Sequence, residues 1–124
     1  MGKLDIAYTM ANDLLQQYQF SNNKKNIGIA YNFLGKCLRR MGRLEESLNA
    51  YKQSIQLLTE YGSLESNLYL ASPYQNAGNC CTLMGDYEQA LQYLRMSLDH
   101  AIQNNTHTGN NYGTIGLCYQ SMGK

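Results

Sequence analysis

The sequence predicts an all-α solenoid of helix pairs, and three observations carry the prediction. First, Met-Gly followed by a charged residue recurs at Met1-Gly2-Lys3, Met41-Gly42-Arg43, Met84-Gly85-Asp86 and Met122-Gly123-Lys124. Intervals of about 40 residues are in the range of structural repeats. Second, YNFLGKCLRRMG (31–42), YQNAGNCCTLMG (74–85) and YGTIGLCYQSMG (112–123) share a Tyr, a Gly four residues on and a Cys two further. Third, the segments after the turns carry apolar residues at helical intervals. Leu44, Ser47, Leu48, Tyr51, Ile55 and Leu58 lie on one stripe, as do Tyr87, Ala90, Leu91, Leu94, Leu98 and Ile102.

The repeating unit is thus helix A, a tight Met-Gly turn, and helix B. Glycine in the turn supplies the left-handed backbone that ends helix A. Taken in order, the array over 1–124 comprises an unpaired helix B (3–19), a repeat (27–60), a second repeat (64–103) and an unpaired helix A (108–122), six helices in all. Gly35, Gly78 and Gly116 fall inside helix A, where each costs about 1 kcal/mol against Ala. Their recurrence at one register implies that helix B approaches closely there, with small residues opposite (Ala7, Ser47, Ala90). The turns between repeats are read at Phe20–Asn26 and Asn104–Asn111, both rich in Asn. Over 61–75, Gly62 ends helix B; then either Ser72-Pro73 caps and opens helix A, or helix A starts near Ser63 and contains Pro73. The register is half a repeat out of phase, which suggests a piece of a longer array. It also suggests head-to-tail pairing of one copy's unpaired A helix with another's unpaired B helix.

Composition narrows the function. A net charge of +1 favours neither nucleic acid nor an anionic membrane surface, and no apolar run approaches the roughly 18 residues of a span. A single proline argues against Pro-rich linkers. Cys37, Cys80 and Cys118 share one column, and packed helix axes about 8–10 Å apart exceed the roughly 7 Å a disulfide allows. Adjacent Cys80 and Cys81 point about 100° apart on a helix and chelate poorly. The four thiols are expected to be free and buried, in a reducing compartment such as the cytoplasm. His100, near a helix end, would meet the negative end of the helix dipole; His107 is a loop residue, and Asn104-Asn105-Thr106 is a chance sequon. No triad, metal spacing or phosphate loop is present, so neither an enzyme nor a cofactor is expected.

The pattern resembles the tetratricopeptide repeat family, whose signature is aromatic–x2–Leu–Gly–x2–Tyr, then Ala, an aromatic and Ala. Tyr31, Leu34, Gly35, Leu38, Ser47, Tyr51 and Ser54 occupy those columns in the first full copy. In the second they are Tyr74, Ala77, Gly78, Cys81, Ala90, Leu94 and Ser97, and Tyr112, Ile115, Gly116 and Tyr119 begin a third. Copies near 40 residues are similar to the extended repeats of the kinesin-light-chain and Pins/LGN groups, whose longer A helices favour Pro73 inside a helix.

The resemblance implies a right-handed superhelix whose A helices line a concave groove that binds an extended peptide or protein segment. By that resemblance the groove-facing positions are Asn32, Lys36 and Arg39; Gln75, Asn79 and Thr82; Gly113, Leu117 and Gln120; and, two before the aromatic, Ile29, Ser72 and Asn110. Asn and Gln carry both a donor and an acceptor, so they grip peptide backbone without dictating its side chains. Lys36 and Arg39 favour a carboxylate. A cochaperone-type carboxylate clamp is not supported, because Thr114 stands where its second asparagine belongs. Two alternatives remain: a structural segment that self-associates through its terminal helices, and the sensor part of a bacterial peptide-responsive regulator.

Overall fold

The computed structural model describes residues 2–62, 66–103 and 109–123, apart from the side chains of 66–67, 109–112 and 114. These residues form six helices and no strand: α1 (Lys3–Ser21), α2 (Lys24–Arg40), α3 (Leu44–Tyr61), α4 (Ser66–Met84), α5 (Tyr87–Gln103) and α6 (Gly109–Ser121). They divide into two compact units, Met1–Ser63 and Leu64–Lys124. His107 and the 104–106 sequon lie outside the described residues, as do the side chains of Asn110 and Thr114.

The Met-Gly motif is a helix stop with a defined hydrogen-bond pattern. At the end of α2, Arg43 N–H donates to the Leu38 carbonyl (2.9 Å) and Gly42 N–H to that of Arg39 (3.0 Å). At the end of α4, Asp86 N–H donates to Cys81 (2.9 Å) and Gly85 N–H to Thr82 (3.1 Å). Both are Schellman closures, which need a left-handed residue at the second-to-last position; Gly42 (φ 81°) and Gly85 (φ 84°) supply it. The charged residue that follows then starts helix B. Asp86 Oδ1 accepts from Gln89 N–H (3.3 Å), an N-cap. Arg43 instead forks onto Glu46, its Nε donating to Oε1 at 2.9 Å.

The first unit is built around α2, which lies between α1 and α3. Ala11 and Leu15 of α1 join Ile27, Ala30, Leu34 and Leu38 of α2 and Ala50 of α3 in one core, with Tyr8, Tyr18, Tyr31 and Leu57 packed against it. The α2–α3 pair runs antiparallel: Gly28 faces Leu58, and Gly35 faces Tyr51. Two serines of α3 lock the pair. Ser54 Oγ donates to the Gly28 carbonyl and Ser47 Oγ to that of Gly35, both at 2.6 Å.

The second unit repeats the arrangement. Gly78 of α4 faces Leu94 of α5, and Ser97 Oγ donates to the Ala71 carbonyl (2.7 Å). α6 packs mainly on α5, where Arg95 Nη2 donates to Tyr119 Oη (2.9 Å). None of the four cysteines is in a disulfide, and all four are buried. Cys118 Sγ points at the Tyr87 carbonyl (3.7 Å).

Two expectations are corrected, and one left open is decided. The turn after α1 is confined to Asn22–Asn23 rather than running to residue 26, because Asn23 Oδ1 accepts from Asn26 N–H (3.1 Å) and starts α2 early. Of the two readings of Pro73, the one the repeat length favours holds: it lies inside α4, and its ring is fully buried. Gly116 does not sit at a tight contact: a Cβ there would meet nothing within 4 Å, because no helix packs on α6 as α3 packs on α2.

Candidate protein-interaction surface

On α2 and α4 the candidate residues fall outside the buried positions of the helix. On α2 the core takes Ile27, Gly28, Ala30, Leu34, Gly35, Cys37 and Leu38. Outside it, beyond the first turn and beside Tyr31, lie Ile29 (39% exposed), Asn32, Phe33 (38%), Lys36, Arg39 and Arg40. Lys36 is exposed and Asn32 half-buried. Arg39 is half-buried with its Nε facing no hydrogen-bond acceptor among the described residues.

On α4, Gln75, Asn79 and Thr82 fall at i, i+4 and i+7 and are each half-buried. The Thr82 hydroxyl is spent on its own helix, donating to the Gly78 carbonyl (2.9 Å), so only its lone pairs face outward. Gln120 of α6 is exposed, as are Gly113 and Leu117. Asn32, Lys36 and Arg39 are therefore grouped in the first unit. Gln75, Asn79, Thr82 and Gln120 belong to the second, with Asn110 outside the described side chains. Among the described residues, no group of three His, Cys, Asp or Glu converges as a metal site, and no helix is long and apolar enough to cross a membrane.

Sequence reasoning passed over two features. The first is a cavity against α1 in which Phe33 joins the basic residues Lys36 and Arg40; only the approach of α1 makes them a unit. Burial pushes the Cys37 thiol in this cavity above its ordinary range, and the Arg40 guanidinium pulls the other way.

The second feature is an aromatic cluster. His100 stacks on Tyr74, centroids 5.4 Å apart at 12°, and Tyr74 lies 6.2 Å from Tyr93. Burial raises both tyrosine hydroxyls. His100 stands in the last turn of α5, as the dipole reading requires, but burial outweighs the favourable charges and holds the imidazole below its ordinary range, opposed by Asp99. The sign for stability follows. The folded chain binds this proton less readily than the unfolded chain, so acidification below about pH 6.5 favours unfolding. Urea titrations of wild type and His100→Gln from pH 7.5 to 5 are expected to show a shallower loss of stability in the variant. Parallel slopes would refute the assignment.

A family model described as tetratricopeptide repeat matches residues 1–60 and 65–124. No curated protein matches the chain.

Proposed function

The chain belongs to the tetratricopeptide repeat family, an all-α solenoid family of protein-interaction modules, and we propose that it holds an extended peptide on the exposed faces of its A helices. What supports the reading is the composition of those faces. Beside the apolar core columns, α2 presents Asn32 and Lys36, and α4 presents Gln75 and Asn79. In the second unit Gln75 and Asn79, one helical turn apart, bring amide donors and acceptors suited to peptide backbone. Lys36 adds a preference for an acidic group. Four cysteines with no disulfide among them suit a reducing compartment, and the cytoplasm is the proposed location.

A second reading rests on Gly116. The equivalent glycines are each covered by a bulky side chain of helix B, whereas Gly116 is open. The face around it fits a helix B from another molecule, including the α1 of a second copy.

One peptide-library screen decides between them. Asn79→Ala is expected to weaken a peptide selected on the second unit by roughly 0.5–1.5 kcal/mol without changing the melting curve, and Lys36→Glu to weaken one selected on the first unit by an amount that shrinks with salt. Equal binding by wild type and both variants, with sedimentation showing association as concentration rises, would move the interaction to the Gly116 face.

A further inference from the structure

Between α1 and α2 lies a partly enclosed cavity of about 170 Å³, lined by Leu4 and Ala7 of α1 and by Phe33, Lys36, Cys37 and Arg40 of α2. Its walls are apolar: Leu4 and Ala7 are half-buried, Phe33 is 38% exposed, and Cys37 is 4% exposed. Its polar groups are two exposed cations, Lys36 and Arg40, and no acidic residue lines it. Among the described residues the ion pairs are Lys24–Glu60 and Arg43–Glu46, so neither cation is neutralised by one. Ile29, a turn before Phe33 and 39% exposed, extends the apolar stripe along α2.

Size and charge identify what fits. An apolar cavity of about 150 Å³ holds a benzene ring, so this one takes a single aromatic or branched aliphatic side chain and little more. Two cations four residues apart beside the opening attract carboxylates on either side of that side chain and repel a basic segment. They are too few for a polyanion such as nucleic acid, whose binding draws on rows of phosphate contacts. We propose that this cavity is an anchor pocket for an acidic partner segment: one apolar side chain enters between Leu4, Ala7, Phe33 and Cys37, while flanking Asp or Glu residues meet Lys36 and Arg40. The pocket deepens the peptide-binding reading and rests on it through Lys36, which serves both.

Cys37 is a built-in reporter. Cys80, Cys81 and Cys118 are 0% exposed, so Cys37 is the thiol a reagent reaches from this side, and an anchored side chain covers it. The probe is a synthetic Asp-Glu-Phe-Glu-Asp peptide, compared with versions in which Ser replaces Phe or amides replace the four carboxylates. Binding is read by calorimetry, and alkylation of each cysteine by mass spectrometry. The parent peptide is expected to bind with an affinity that falls with salt and to slow alkylation of Cys37 alone. Loss of the phenyl ring is expected to weaken it at least about tenfold, and loss of the carboxylates several-fold. Arg40→Glu should weaken binding and Ala7→Met, which fills the cavity, should abolish Cys37 protection; thermal melts of both variants check that they fold. Equal binding of all three peptides, or unchanged Cys37 alkylation with bound peptide, overturns the pocket. So does Cys37 protection that grows with protein concentration alone, which assigns the cavity to a second copy. Library peptides sensitive to Asn79→Ala but not to Arg40→Glu or Ala7→Met leave the peptide-binding face standing and remove the pocket. Cys37 protection with no effect of Asn79→Ala does the reverse.

Discussion

Gly35→Ala is expected to lower the stability of the first unit by about 1–3 kcal/mol, although Ala for Gly in a helix ordinarily gains about 1 kcal/mol. The added Cβ would stand 2.5 Å from Tyr51 Cε1 and 2.6 Å from Cδ1. The Tyr51 ring is 0% exposed and has nowhere to move without displacing α3. Gly78→Leu meets Leu94 Cγ and Cδ2 at 2.6 Å and the Ala90 carbonyl at 3.2 Å, so a loss near the upper end is expected there. Gly116→Ala is the control with the opposite sign. It meets nothing within 4 Å, so only the helix-propensity gain remains. Urea midpoints of the three variants test the set. A Gly35→Ala protein as stable as wild type would sink the account of the glycine register.

Leu94→Ala carries the largest expected cost. Leu94 is 0% exposed and seated over Gly78, and emptying such a site costs about 2–5 kcal/mol depending on how far the surroundings collapse. The vacated space is where a Cβ on residue 78 would go. The double variant Gly78→Ala/Leu94→Ala is therefore expected to be more stable than the two single losses together imply, with a coupling of roughly 1 kcal/mol or more. Additive losses in chemical denaturation would show that the two residues do not share one contact.

What the sequence made legible follows from which constraints act on single positions. A Schellman closure demands a left-handed residue, so Gly42 and Gly85 are visible as a recurring dipeptide. Steric exclusion demands no side chain opposite Tyr51 and Leu94, so Gly35 and Gly78 are visible as a column. Gly28 lies nearly as close to Leu58 (2.8 Å) but escaped notice because Ala71 occupies its position in the next copy. Gly116 misled for a related reason: it shares the column's identity, but tightness is a property of a pair, and among the described residues nothing stands opposite it. Pro73 was ambiguous because both a helix start and a buried helical ring satisfy its fixed φ.

The interaction surface was legible in outline only. Register separates the outward residues of α2 and α4 from the core, but the outward turn of a hydroxyl is a local choice. Thr82 chose its own backbone. The cavity at Phe33 and Arg40 depends on the line taken by α1, which no spacing within α2 encodes.

The way α1 is held bears on how the molecule opens. Its backbone comes close to α2 and to no other helix of its unit, whereas α2 and α3 share the Gly35–Tyr51 contact and both serine bonds. In a repeat architecture, stability is roughly a sum of neighbour terms, and elements with the fewest terms exchange their amide hydrogens through partial opening rather than global unfolding. Detachment of α1 leaves the α2–α3 pair intact and erases the Leu4 and Ala7 wall of the cavity. A side chain seated there ties α1 down by mass action, so occupancy at one small cavity is converted into order along nineteen residues of helix.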